Sequence, residues 1–295
     1  MTTAKSASPG LDKAPDKARA YECFSVEIKD HIAHLVLNRA EALNTMVPAF
    51  WSELPEIVRE IDDKALARVI MISSVGKHFT AGMDLSVLAA GPDRSGQEIG
   101  RVRANLMKTI LKLQETFSCL DEARMPVLVA VQGGCIGGGV DFVSACDMRY
   151  ATRDAFFCIQ EINLGMTADV GTYPRLPHLM PQGLVRELSY TGRRLYADEA
   201  KACGFVNEVF DTQEDMIAKV REIAREIASR SPLAVWGSKE MLTYARDHSI
   251  ADGLKHIAVW QSGMFQSPDI KESFKAKAEK RDPEFDDLLP VDGKL

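Results

Sequence analysis

The chain of 295 residues lacks any long hydrophobic run. Its apolar stretches, such as Val127 to Val131, fall far short of the roughly 20 residues that a bilayer helix requires, so no membrane span is expected. Positive charge is also scarce: 36 Lys and Arg stand against 42 Asp and Glu, a formal net charge of −6. Nucleic acid is therefore not an expected partner, because the basic surface that releases counterions from phosphates is missing. A polyanionic ligand would have to be gripped locally. The six cysteines (Cys23, Cys119, Cys135, Cys146, Cys158 and Cys203) include no CxxC pair, and they read most simply as reduced thiols of an intracellular protein. Histidines do not cluster either. His31 and His34, three apart in a predicted strand, point to opposite faces rather than clasp a metal, so none is expected.

What is present is ordinary for a soluble globular protein: 46% hydrophobic and 26% charged residues in a length that suits one large domain or two modest ones. Residues 1–20 mix Ala, Ser, Pro, Lys and Asp without an apolar pattern, which predicts a disordered tail. That stretch has no h-region, and Asp12 and Asp16 argue against a transit peptide. Alternating residues from Phe24 to Asn38 predict a hairpin turning at Lys29-Asp30. A helix is expected from Val47 to Ile61, a buried strand over Val69–Ser73, a helix over Gln97–Cys119 and a strand over Val127–Gln132. Met148–Thr152 and Ala155–Ile159 read as strands around Arg153-Asp154. Ala197–Ala202 reads as a helix stopped at Gly204, and Phe205–Phe210 as a last strand. From Glu214 onward helices alone are expected, which places a boundary near Asp211 and divides the chain into an α/β core, 21–211, and a C-terminal helical region, 212–295.

The densest chemistry lies between Gln132 and Gly171. Gly137, Gly138 and Gly139 allow the backbone to lie against a ligand with its N–H groups outward. Apolar residues at helical spacing from Val140 to Cys146 put those glycines at a helix N-terminus, whose dipole favours negative charge on a bound oxygen. Asp141 opens that helix. Glu161 and Asp169 flank the mostly apolar Ile162-Asn163-Leu164-Gly165, where desolvation would raise a carboxylate's pKa into a range useful for moving protons. Plainer readings stand beside these. The glycines can serve as a packing turn, Glu161 as a solvated loop acid, Asp169 as an N-cap, and Asp141 as a favourable charge at a helix start.

The phrases SSVGKHFTAGMDL (Ser73–Leu85), GGCIGGGVDFVSACDMRYA and QEINLGMTADVG, in that order, resemble the enoyl-CoA hydratase/isomerase family, the crotonase superfamily, over roughly Phe24 to Phe285. Within it, Asp141, Glu161 and Asp169 fall where the Δ3,5-Δ2,4-dienoyl-CoA isomerases carry their acidic trio. The resemblance implies an α/β fold spiralling through ββα units with a C-terminal helical trimerisation region, assembled as a homotrimer or homohexamer. It implies an acyl-CoA substrate in fatty acid β-oxidation, with coenzyme A belonging to the substrate and no separate cofactor. It places the CoA arm along Ala81, Gly82, Met83, Asp84 and Leu85, and the oxyanion amides on Met83 and Gly138.

Under that resemblance Glu161 takes a proton from C2 of a 3,5-dienoyl-CoA, Asp169 delivers one at C6, and Asp141 tunes the charge of the site. A hydratase usually has Glu in place of Asp141 and Gly in place of Asp169. Hydration of a 2-enoyl-CoA and non-catalytic acyl-CoA binding remain the alternatives. Arg39, Lys77 and the cluster Lys271, Lys275, Lys277, Lys280 and Arg281 are candidates for the CoA phosphates. Met83, Leu85, Leu88, Phe142, Leu164 and Met166 are candidates for an acyl tunnel. A bacterial cytoplasmic location is expected, with peroxisomal import as the alternative because Gly293-Lys294-Leu295 approaches the Ser-Lys-Leu address.

Overall fold

The computed structural model describes residues 20–89, 96–265 and 268–291; residues 1–19 of the predicted tail and the Gly293-Lys294-Leu295 end lie outside them. The described strands are β1 (Phe24–Lys29), β2 (Ile32–Leu37), β3 (Val69–Ser74), β4 (Val127–Val131), β5 (Gly134–Ile136), β6 (Met148–Thr152), β7 (Phe156–Cys158), β8 (Leu195–Tyr196) and β9 (Glu208–Phe210). Six of them form one sheet in the order β1-β2-β3-β4-β6-β9, and β5, β7 and β8 form a second, smaller sheet. Only β1 and β2 pair antiparallel in the larger sheet. Their hairpin turns at Asp30 and His31, whose φ values are 52° and 60°, one residue later than expected. His31 thus leaves the strand, and its ring reaches Asp287 at 3.2 Å.

The helices are α1 (Pro48–Asp63), α2 (Leu85–Ala89), α3 (Ile99–Glu122), α4 (Gly138–Ser144), α5 (Thr172–Arg175), α6 (Gln182–Thr191), α7 (Ala197–Ala202), α8 (Gln213–Ala228), α9 (Pro232–Tyr244), α10 (Ile250–Met264) and α11 (Pro268–Glu279). The parallel strands β3 and β4 are buried along their whole lengths, as continuous apolar runs covered on both faces require. One face, with Ile70, Ile72, Val127 and Val129, joins the main core under α1, α3 and α4. The other, with Val69, Met71, Leu128, Ala130 and Tyr150, is covered by Met216, Val220 and Ala224 of α8. The first helix of the expected C-terminal region is therefore part of the core, since its apolar stripe has the sheet to bury against.

Met148–Thr152 and Phe156–Cys158 do not form a hairpin with each other. β6 continues the large sheet beside β4, whereas β7 crosses to the small one beside β5. This split carries the chain from the core towards the segment that holds Glu161. An aromatic cluster keeps the two sides in register: Phe142 of α4 stacks on Phe117 of α3, centroids 5.4 Å apart, and meets Phe50 of α1 edge-on at 5.8 Å.

Lys239 of α9 is buried against the core. Its ammonium donates to the carbonyls of Leu120 (2.7 Å) and Met125 (3.1 Å) and pairs with Asp147 at 2.9 Å. Replacing it with alanine leaves these acceptors without their cation, which should destabilise the fold by ~2–3 kcal/mol in denaturant titrations. A loss below about 0.5 kcal/mol would show the contact to be dispensable, as exposed pairs are.

Candidate active site

The site is assembled where two loops meet. In the first, Asn44 takes a left-handed conformation, and its side-chain amide donates to the carbonyls of Val75 and His78. Met46 then bridges to Met83: its N–H donates to Gly82 O at 2.8 Å, and its carbonyl accepts from Asp84 N at 3.2 Å. The second loop is the glycine turn between β5 and α4. Thr80 pairs with Cys135, and Ile136 N donates to Thr80 O at 3.1 Å. Gly82 has φ +83°, and a Cβ there would stand 2.6 Å from Ile136 O. Only glycine permits so close an approach.

Two amides at this junction are free. Neither the Met83 N–H nor the Gly138 N–H donates to any of the described residues. Met46 joins the two points, since it pairs with Met83 while its thioether lies over Gly138. Gly138 also opens α4, so its amide stands at the positive end of the peptide dipoles. The local arrangement suits an oxygen that carries developing negative charge.

Glu161 lies directly against the glycine turn. A Cβ on Gly137, whose φ is +56°, would meet its Oε1 at 3.1 Å. The short 3-10 turn Gln160–Leu164 folds the acid back to this point. The apolar neighbours expected to desolvate it do not do so, because Ile162 and Leu164 face solvent. Burial against the turn does, and Glu161 Oε2 is buried without a partner. Its pKa is pushed up to about 7, first by burial and then by the negative charge of Asp141, against its own backbone amide.

Asp141 is fully buried. Its Oδ1 accepts from Thr172 N at 2.6 Å, and its Oδ2 has no partner. The acid on α4 therefore holds the start of α5 rather than its own helix. This contact also displaces Asp169 from the capping role, since α5 begins after Gly171 with no side-chain cap. Burial pushes the Asp141 pKa up to about 6; Thr172 opposes the shift and the charge of Asp169 adds to it.

Asp169 is exposed towards a cavity of about 640 Å³ between α3, residues 168–178 and the end of α9. Partial burial still raises its pKa, against its own backbone amide. Glu161 thus feels the charges of Asp141 and Asp169, and Asp141 that of Asp169.

The remaining expected residues divide. Ala81 is held by its N–H on Leu43 O at 3.0 Å. The Asp84 carboxylate accepts from Ser86 N (2.9 Å), Ser86 Oγ and Thr45 Oγ1 (3.0 Å), bonds that lower its pKa and fix the loop before α2. Leu85 is exposed. Phe142 lies wholly inside the aromatic core rather than along a tunnel, and the Leu88 side chain lies outside the described residues. Leu164 and Met166 are exposed beside Glu161.

Of the candidate cations, Arg39 donates to Thr45 O at 3.1 Å and Lys77 is exposed. Arg281 is tied to Glu272 and Glu279; Lys271, Lys275, Lys277 and Lys280 face solvent. Among the described residues no group of three or more His, Cys, Asp or Glu could hold a metal, and no helix is long and apolar enough to cross a membrane. All six cysteines are free thiols. Sequence reasoning missed Gln114, Asn44 and the partnership of Asp141 with Thr172. Only Asn44 carried a signal, as a residue type that tolerates left-handed turns.

The chain belongs to the enoyl-CoA hydratase/isomerase family, whose profile matches residues 27–288. Among its relatives, a mouse protein (Mus musculus) named mitochondrial Δ(3,5)-Δ(2,4)-dienoyl-CoA isomerase is 42% identical, covering 94% of this chain and 86% of its own. An Arabidopsis thaliana enzyme of the same name, termed peroxisomal, is 39% identical, over 86% of this chain and 92% of its own. The crystal structure of an enoyl-CoA hydratase from Bacillus anthracis superimposes with a TM-score of 0.79 at 30% identity, over 92% of this chain and all of that one. The fold is thus the crotonase-like α/β architecture, with a helical C-terminal region. The expected bacterial cytoplasmic location is corrected by these names, since the dienoyl-CoA isomerases matched over most of the chain are mitochondrial and peroxisomal proteins of eukaryotes.

Buried Asp141 makes stability depend on pH. Its folded pKa, about 6, lies above the ordinary aspartate value of 3.8, so the folded state binds more protons between these values and loses stability as pH rises through them. Asp141→Asn should therefore stabilise the protein at pH 8, by on the order of 1–3 kcal/mol, with the gain shrinking towards pH 4. Equal unfolding midpoints for both proteins at pH 8 would show that the carboxylate is not strained by burial.

Proposed function

We propose that the protein is a Δ3,5-Δ2,4-dienoyl-CoA isomerase of fatty acid β-oxidation. The observation that carries this reading is Glu161, raised in pKa by burial and by the charges of Asp141 and Asp169, lying against the glycine turn beside two amides without partners among the described residues. The similarity to enzymes of that name supports it. The substrate is an acyl-CoA; coenzyme A enters as part of it, and no separate cofactor takes part.

The thioester carbonyl sits on Met83 N–H and Gly138 N–H, with the CoA arm along Ala81 to Leu85. A proton α to a thioester is too weakly acidic to leave unless the oxygen of the resulting enolate is stabilised, and fixed backbone donors do this without titrating. Ionised Glu161 takes the C2 proton. The trienolate carries negative charge at C4 and C6 as well as at oxygen, and protonated Asp169 supplies a proton at C6 to give the 2,4-diene. Turnover leaves Glu161 protonated and Asp169 ionised. Glu161, with a pKa about 7, gives up its proton readily near neutral pH, and exposed Asp169 regains one from solvent.

An acyl chain laid against Asp169 removes more water from it and pushes its pKa further up. Asp141 keeps a third negative charge close by, so the three acids cannot all ionise cheaply and one remains able to donate. Hydration of a 2-enoyl-CoA would need only the acids nearest C2 and C3, and it leaves Asp169 without a task. The same reading includes a homotrimer or a dimer of trimers, supported by the uncovered apolar side chains Leu242, Ile250, Leu254 and Val259 of α9 and α10.

Asp169→Asn should lower conversion of a 3,5-dienoyl-CoA to the 2,4-diene by at least about 100-fold, since general acid catalysis contributes that much; turnover within a few-fold of wild type would remove Asp169 from the reaction. In wild type, kcat/KM for isomerisation should rise with pH as Glu161 ionises around pH 7. Glu161→Gln should abolish the activity that defines the rising limb. A profile flat from pH 5 to 9 would contradict the role given to Glu161.

A further inference from the structure

Asp169 sits in irregular backbone between Gly165 and Gly171, a segment without regular hydrogen bonding of its own. One end is tied to the proximal acid, because Met166 N donates to Glu161 O at 2.9 Å. Around the distal acid, Ala168 and Val170 are buried and Asp169 between them points outward. The carbonyl of Asp169 itself is taken by one side chain from elsewhere in the fold: Gln114 Nε2 of α3 donates to it at 2.7 Å. Gln114 and Asp169 share the wall of the same cavity.

The helix that carries Gln114 also fixes the other end of the site. One turn along α3, Phe117 stacks on Phe142 of α4, the helix that Gly138 opens. A single rigid element thus touches both the oxyanion helix and the peptide of the distal acid. A proton transfer that must reach C6, several bonds from the thioester, depends on this spacing more than on either end alone.

We infer that Gln114 is a positioning residue for distal protonation: its hydrogen bond to the Asp169 carbonyl sets the reach of that carboxyl to C6. The inference rests on the isomerase reading above. A misplaced Asp169 leaves the trienolate formed at the oxyanion amides to be protonated elsewhere. Return of the proton to C2 regenerates the 3,5-diene. Protonation at C4 gives the 2,5-dienoyl-CoA, with the charge on the enolate consumed in either case.

The test compares wild type with Gln114→Met, similar in length but unable to donate, and Gln114→Glu, whose carboxylate repels the carbonyl. Each is given a 3,5-dienoyl-CoA in heavy water, the CoA esters are separated, and deuterium at C2 is counted. For both variants, formation of the 2,4-diene should fall by about tenfold, with a larger 2,5-diene fraction, while C2 exchange stays within twofold of wild type. Gln114 is partly exposed, so melting curves near wild type are expected. If the 2,4-diene forms at the wild-type rate and share in both variants, the inference is overturned. Loss of C2 exchange in proportion to isomerisation would also overturn it, because a general structural defect moves both together. Wild type that exchanges at C2 but makes no 2,4-diene would fail at the isomerase reading itself, a result visible before any variant is compared.

Discussion

The contact between the Gly82 loop and the carbonyl of Ile136 is the constraint on which the rest of the site depends. A Cβ at Gly82 would stand 2.6 Å from that oxygen, so the two strands of backbone can meet only because no side chain intervenes. Their meeting has two consequences. It leaves the amides of Met83 and Gly138 without partners among the described residues, and it forms the floor against which Glu161 is buried. Two amides available to a ligand and a glutamate of raised pKa thus arise from one packing event. The surrounding structure secures it through continuous core contacts: Asn44 ties one loop to β3's exit, and Phe142 anchors α4 to α3 and α1.

The electrostatics follow from the same enclosure. Glu161 and Asp141 are raised chiefly by burial and only secondarily by neighbouring carboxylates, Glu161 by Asp141 and Asp141 by Asp169. Two cations line the same cavity as Asp169, and Arg175 opposes the rise at Asp141 without cancelling it. Arg175 is held by Asp121 at 2.7 Å and Ser118 at 3.1 Å, and Arg246 reaches the other oxygen of Asp121 at 3.0 Å. The guanidinium groups are therefore committed to a network that joins α3, α5 and α9. Carboxyl groups with raised pKa values lie beside it in a chain whose overall charge is −6.

What the sequence made legible was local. Apolar runs marked β3 and β4, glycines marked the turn before α4, and Gly204 marked the end of α7, because each rests on the conformational demands of a few adjacent residues. Pairings across long stretches of chain were not legible. Met148–Thr152 and Ala155–Ile159 looked like neighbours around a turn, yet sheet membership depends on which edges β4 and β5 offer. The amphipathic pattern of α8 was clear, but it could not say that the buried partner was the large sheet. Glu161 and Asp169 were visible as acids in a suggestive stretch. Their surroundings were misjudged: the apolar residues between them face solvent, and the glycine turn does the burying. Gln114 carried no signal, since a polar residue on an amphipathic helix reads as a solvated one.

The length of the side chain at 141 offers a physical reason for the division between hydration and double-bond migration. Asp141 is short enough for Oδ1 to accept from Thr172 N at 2.6 Å, within the start of α5. That bond commits one oxygen to α5 and leaves the other buried without a partner among the described residues. A glutamate would carry its carboxylate one carbon further from α4, past the Thr172 amide and towards Glu161. Two adjacent carboxylates there could share a water beside C2 and C3. With aspartate, the acid at 141 stays behind as a fixed charge and an anchor for α5. Under the isomerase reading proposed above, proton delivery is then assigned to Asp169, whose loop reaches the cavity between α3 and the end of α9.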